Sequence, residues 1–201
     1  MISIVDYGVG NLRSVQKAFE SLGFEAEITG DIKKINESKA IVLPGVGAFP
    51  DAIEELRKTG IYEAVIHAAQ CSKPLLGICL GMQLLFEYGY EIKECKGLAL
   101  IKGSVKRLQG DVKIPHMGWN NIRTINNCAI LKGVTDDSYV YFVHSFYAEV
   151  LDQLDVNSVT DYGSEFPAVV SNGNIYGTQF HPEKSGKVGM KILKNFGELI
   201  Q

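Results

Sequence analysis

No apolar stretch of this sequence approaches the roughly 18 residues that a membrane-crossing helix needs. The opening segment, Met1-Ile-Ser-Ile-Val-Asp-Tyr-Gly8, lacks a basic stretch followed by a long apolar run, so no secretory leader is expected there. Cysteine is scarce: Cys71, Cys79, Cys95 and Cys128 are the only four, and no two form a C-x-x-C pair. That spacing argues against a disulfide framework and against zinc, and points to a reduced, cytoplasmic setting. No metal or other cofactor is expected. An excess of basic charge is missing too. The net charge is −3 and the charged fraction 21%, so the electrostatic footprint of a nucleic-acid binder is absent. No repeat, linker or low-complexity run divides the chain.

Glycine is what the sequence has in plenty, 21 of 201 residues, above the usual share of about 7%. Many tight backbone positions are expected. The length suits one domain spanning residues 1–201, with enough apolar residues, 46%, to bury a core without staples.

The first half alternates strand and helix. Ile2 to Val5 reads as a buried strand. Asn11 is placed to cap a helix whose Leu12, Val15, Phe19 and Leu22 fall at helical spacing, with Gly23 as its stop. Phe24, Ala26 and Ile28 alternate as a strand. Ala40 to Leu43 is a second buried strand that should end at Pro44-Gly45. Residues 51–58 and 61–70 read as helices. Leu75 to Ile78 is a third buried strand, and Leu80 to Tyr88 a helix directly after it. This rhythm predicts an α/β fold: a mostly parallel sheet with helices on both faces. The second half should add antiparallel strands over Leu98–Leu108, Trp119–Ile125 and Tyr139–Val150. Ala168–Ser171 and Asn174–Phe180 flank Asn172-Gly173 as a hairpin. Val188, Ile192, Phe196 and Leu199 define a closing amphipathic helix.

The strongest local signal is Gly77-Ile-Cys-Leu-Gly81, between a buried strand and a helix. It has the form of a nucleophile elbow with cysteine in place of serine. Glycines remove the Cβ atoms that would clash in so sharp a turn. A helix N-terminus behind the thiol favours the thiolate, and the Leu80 N–H is placed for a developing oxyanion. The alternative is a small core cysteine packed between glycines. The thiol needs a base, and the histidines are His67, His116, His144 and His181. His67 sits in an alanine-rich helical stretch and reads as a surface or packing residue. His181 is followed by Pro182-Glu183, at the end of a predicted hairpin strand. In extended chain, His181 and Glu183 face the same way, so the carboxylate can hold the imidazole in the tautomer that takes the cysteine proton. Pro44-Gly-Val-Gly47, at the end of another strand, lets backbone N–H groups approach a ligand.

These motifs together resemble the class I (triad) glutamine amidotransferases. Within them, Pro115-His-Met-Gly-Trp-Asn120, Tyr141-Phe-Val-His-Ser145 and His181-Pro-Glu-Lys-Ser185 are similar to the glutaminase subunits of imidazole glycerol phosphate synthases. The resemblance runs from Asp6-Tyr-Gly-Val-Gly-Asn-Leu12 to the final helix. It implies Cys79 as nucleophile, His181 as base and then acid, and Glu183 as its orienter. Leu80 with Val46 and Gly47 would supply oxyanion-hole amides, and Gly47, Gln83 and Ser145 would bind glutamine. A cyclase subunit with a (β/α)₈ barrel is the implied partner, forming a heterodimer that uses the ammonia in histidine biosynthesis. His116, Met117, Trp119, Asn120, Tyr141 and Lys184 would meet it. Ser145-Phe146 stands where the family often carries Thr-Tyr; the serine keeps a hydroxyl. Paralogues of this kind also feed a cell-surface sugar pathway, and a DJ-1-like hydrolase or a non-catalytic scaffold shares parts of the pattern. The glycines around Val46 suggest a peptide able to flip, and hence a free chain with little activity.

Overall fold

The computed structural model describes residues 1–200. In chain order the first half comprises β1 (Ile2–Val5), α1 (Leu12–Ser21), β2 (Ala26–Thr29), α2 (Ile32–Glu37), β3 (Ala40–Gly45), α3 (Phe49–Lys58), α4 (Ile61–Gln70), β4 (Leu75–Cys79) and α5 (Leu80–Leu84). There follow β5 (Phe86–Gly89), β6 (Cys95–Lys96), β7 (Ile101–Arg107), β8 (His116–Thr124), β9 (Ser138–His144), β10 (Phe146–Val150), β11 (Val156–Asp161), β12 (Glu165–Asn172), β13 (Ile175–Thr178) and α6 (Gly186–Glu198).

Nine strands form one sheet in the order β2-β1-β3-β4-β13-β12-β11-β8-β9. The first five run parallel. The last four are added antiparallel. Continuous apolar runs suit strands covered on both faces, because successive side chains point to opposite sides. Ile41 and Leu43 of β3 join a core formed with α3, α4 and the second sheet, while Ala40 and Val42 join the opposite core formed with α1 and α6. The second sheet, β10-β7-β5-β6, packs over the first core and has no counterpart on the other face. No helix among the described residues is long and apolar enough to cross a membrane.

The α/β expectation holds. Asn11 stands at the N-cap of α1, but its side chain makes no capping hydrogen bond. There are three larger local corrections. First, β3 continues through Pro44-Gly45 rather than stopping before them. Pro44 lacks an N–H, but β1 pairs only with Ala40–Val42, so no ladder bond is lost there. Second, the helix after β4 ends at Leu84, and residues 86–89 become a strand. The carbonyls of Leu84, Leu85 and Phe86 are taken by the N–H groups of Leu98, Leu100 and Ala99, so helical continuation loses to pairing with a distant segment. Third, the predicted strand 139–150 is two strands in different sheets. β9 pairs with β8, the chain turns at Ser145, and β10 pairs with β7. That turn lays residues 143–146 across the carboxyl end of β4.

Candidate active site

Four neighbouring parallel strands, β1, β3, β4 and β13, deliver chemistry at their carboxyl ends, where ligands of open α/β sheets bind. β4 ends in Cys79, whose backbone sits at φ 56°, ψ −111°. Such a conformation costs about 1–3 kcal/mol and persists only where its surroundings impose it. They do so through close packing of α5 onto β3 and β4. A Cβ on Gly77 would lie 2.6 Å from the Gly81 carbonyl oxygen, and one on Gly81 would collide with the Leu43 carbonyl. The elbow expected from Gly77 and Gly81 is therefore present.

His181 lies three residues past β13. Its backbone N–H donates to the Tyr141 carbonyl at 3.0 Å, so strand β9 holds it in place. Ser185 Oγ adds a bond to the His181 carbonyl and accepts from the Tyr141 N–H. His181 Nδ1 meets Glu183 Oε1 at 2.9 Å. The two side chains face each other through a short helical turn over Pro182–Lys184, not through extended chain as the sequence suggested. With Nδ1–H committed to the carboxylate, Nε2 is the nitrogen left to exchange a proton. It is buried and has no hydrogen-bond partner. Burial pulls the His181 pKa down, but the adjacent Cys79 and Glu183 outweigh it and raise it to about 9. The Cys79 thiol also lies 3.6 Å from the Val143 carbonyl.

Cys79 and His181 line a cavity of about 310 Å³ together with Val46, Gly47, Leu80, Gln83 and Ser145. All the residues expected to contact glutamine or its oxyanion thus converge. Val46 is 44% exposed and Gly47 adopts φ 101°, a left-handed conformation that favours glycine. Two residues beside the cavity escaped the sequence reading. Glu91 lines it and accepts the Phe49 N–H at 2.7 Å, anchoring the segment after Gly47. Nothing local marks it: it lies in an irregular loop brought over the cavity by the second sheet. Tyr7 donates its hydroxyl to the Pro44 carbonyl at 2.8 Å, bracing the glycine segment from beneath. Burial, and then the nearby Cys79, push its pKa well above the usual phenol range, so it stays a donor. Its position just past β1 was the available signal.

The residues expected at a partner surface divide by strand alternation. Met117 and Trp119 are 63% and 55% exposed, and Trp119 packs edge-on against Tyr141 across the strand pair. Lys184 is exposed nearby in sequence to the triad. His116 and Asn120 point the other way. His116 is 4% exposed and stacks between Phe142 and Tyr162, which removes it from the outer face. The Asn120 amide donates to the Asp161 carbonyl at 2.8 Å. His67 is exposed, as expected.

His116 Nδ1 and His144 Nε2 are 3.0 Å apart, and burial lowers their pKa values to about 4 and about 3. Both are neutral when folded near pH 7 and take up protons more readily when unfolded. The unfolded chain therefore binds more protons below pH 6.5, and stability should be lost as pH falls from there toward 4. The slope should approach about 1.4 kcal/mol per pH unit for each imidazole. Urea unfolding between pH 4 and 7 checks this, and a His116→Phe chain should lose stability less steeply over that window.

The sequence pattern of the family described as Glutamine amidotransferase class-I matches residues 3–199. A protein of Caldanaerobacter subterraneus subsp. tengcongensis named "Imidazole glycerol phosphate synthase subunit HisH" is 52% identical over 201 residues, covering all of this chain and 99% of that one. A Bacillus cereus protein of the same name is 48% identical, covering all of this chain and 96% of its own. Among solved structures, "Structure of PurLQS from Thermotoga maritima" superposes with a TM-score of 0.79 at 24% identity, covering all of this chain and 98% of that one. At that identity the likeness concerns the fold.

Proposed function

The chain belongs to the class I glutamine amidotransferase family, and we propose that Cys79, His181 and Glu183 carry out its glutamine hydrolysis. It is the glutaminase subunit of an imidazole glycerol phosphate synthase and acts in histidine biosynthesis. The observation that carries the residue assignment is His181 itself: Nδ1 held by Glu183, Nε2 buried without a partner, beside a strained cysteine.

Glutamine enters the cavity with its side-chain amide over Cys79. His181 Nε2 takes the thiol proton and sulfur attacks the amide carbon. The oxyanion forms against the Leu80 N–H and an amide of the Val46–Gly47 segment. His181 returns its proton to the nitrogen, the C–N bond breaks, and ammonia leaves a γ-glutamyl thioester. Water then gives a proton to His181 and attacks the thioester, releasing glutamate and the thiol. Ser145 and Gln83 bind the glutamine backbone end, and the Glu91 carboxylate suits its ammonium group.

The ammonia goes to a cyclase subunit, a (β/α)₈ barrel docking on the outward face of Met117, Trp119 and Tyr141 with Lys184. Large exposed aromatics of this kind are typical interface anchors. The protein acts in the cytoplasm as one domain. The relatives at 52% and 48% identity support the histidine pathway over the sugar pathway.

Exposed Val46 and left-handed Gly47, between the anchored Pro44 and Phe49, give the oxyanion segment a peptide with room to reorient. Loss of one oxyanion donor costs about 10²–10³ in rate. Glutamate release by the isolated chain should therefore be at least about 10²-fold slower than with the cyclase and its ligand. Full activity in the isolated chain would remove this reading of the segment.

A further inference from the structure

Gln179 lies between β13 and His181 and is fully buried, its amide packed behind Cys79 and Gln83, which line the cavity. Its Oε1 accepts from Gln83 Nε2 at 3.0 Å, and its Nε2 is 4.0 Å from Cys79 Sγ. The direction of this pair is settled by a group that cannot donate. Gln83 Nε2 also gives a hydrogen bond to the Phe146 carbonyl at 2.8 Å. A carbonyl only accepts, so the nitrogen end of Gln83 must lie there. The Gln179 atom facing it must then be oxygen, and the Gln179 NH₂ must face the sulfur.

The same carbonyl orders a longer chain. His144 Nδ1 meets the Phe146 carbonyl at 2.9 Å and must carry the proton, which leaves Nε2 as acceptor. His116 Nδ1 therefore donates to it at 3.0 Å, and His116 Nε2 accepts from Asn120 Nδ2 at 3.4 Å. Asn120 Nδ2 also donates to the Asp161 carbonyl. Carbonyls at both ends, Asp161 and Phe146, require the same proton order. This gives a role to His116 and Asn120 inside the fold that their inward orientation calls for.

We infer that Gln179 is a positioning residue for the Cys79 thiolate, offering it an N–H whose orientation is locked through Gln83 by the Phe146 carbonyl, the acceptor on which the chain Asn120–His116–His144 also ends. The inference rests on the reading of Cys79 as nucleophile. The thiol now faces the Val143 carbonyl, which would repel the sulfur once its proton is gone. The Gln179 N–H lies within reach as the donor the anion needs. Hydrogen bonds to charged groups are about twice as strong as neutral ones, so the contact should tighten when the thiolate forms.

The test is alkylation of Cys79 by iodoacetamide in the full chain, followed peptide by peptide by mass spectrometry across pH. No glutamine or partner is needed. Gln179→Met keeps the volume and removes the donor. It should slow Cys79 alkylation at pH 7 about ten-fold and move the rate profile to higher pH, while Cys71 is unaffected. Gln179→Glu, which still accepts from Gln83 but turns an acceptor on the sulfur, should slow it further. A folded Gln179→Met chain whose profile matches the parent overturns the inference. Should both variants fail to fold, the unaltered protein decides. The Gln179 side-chain amide resonance should move with Cys79 ionisation and stay fixed in Cys79→Ala; a resonance that ignores Cys79 overturns the inference equally. Glutamate release that survives Cys79→Ala would instead sink the nucleophile assignment, whatever Gln179 does.

Discussion

Cys79→Ala should abolish glutamine-dependent synthesis by the two-subunit enzyme while leaving synthesis from added ammonium salts intact. Alanine keeps the elbow's Cβ and adds no bulk, and the strained backbone at φ 56° is set by the packing of Gly77 and Gly81 rather than by the thiol. The fold and the partner face should therefore persist. What disappears is the only atom in the cavity able to form the thioester. Removing the nucleophile of a triad costs about 10⁴-fold or more in kcat, because the base and orienter lose their purpose with it. Ammonium bypasses this chain's chemistry altogether. Glutamate release and product formation, measured with each nitrogen source, make the check. Glutamine-dependent turnover within about ten-fold of the parent would mean that another group is the nucleophile.

The elbow was legible because it is a local device: a strained strand-to-helix turn demands glycines at fixed offsets from Cys79. The parallel half was legible for the same reason, since buried strands and amphipathic helices write their periods into consecutive residues. The antiparallel half was less so. Residues 139–150 carry one unbroken β pattern, yet the chain changes sheets at Ser145, and that change is what brings the 143–146 segment over Cys79. Residues 80–88 have helical spacing, but partners near residues 98–101 claim the carbonyls after Leu84. Glu91 lines the cavity, and Tyr7 and Gln179 pack behind it, only through such long-range contacts. For His116 and Asn120 the motif is visible in the sequence, but the face each side chain takes is set by pairing with β9. A strand's alternation sends every second residue of Pro115-to-Asn120 inward, so Met117 and Trp119 stay outside while His116 enters the core and Asn120 is half-buried beside it.

Glu183→Gln should lower kcat by about 10²–10⁴ with the fold preserved. The glutamate side chain is 1% exposed, and Oε2 has no hydrogen-bond partner, so a charged carboxylate is buried with half of its acceptors unsatisfied. A neutral amide of the same shape eases that desolvation, which is why stability should not fall in step with activity. Catalysis loses twice. Of the two groups that raise the His181 pKa, Cys79 stays but the Glu183 charge is gone, so the imidazolium opposite the thiolate is less favoured. The amide can also turn its NH₂ toward Nδ1, which forces the proton onto Nε2, where the base must be free. In a serine-protease triad the equivalent loss is about 10⁴; a thiol is more acidic than a hydroxyl and leans less on its base, hence the lower bound here. The midpoint of the pH–rate profile that reports His181 should move down in pH, since its folded pKa falls from about 9. The measurement pairs kcat across pH with a urea unfolding midpoint for the same protein. An activity loss matched by an equal loss of stability would recast Glu183 as a packing residue. A kcat within about three-fold of the parent would show that His181 needs no orienting carboxylate.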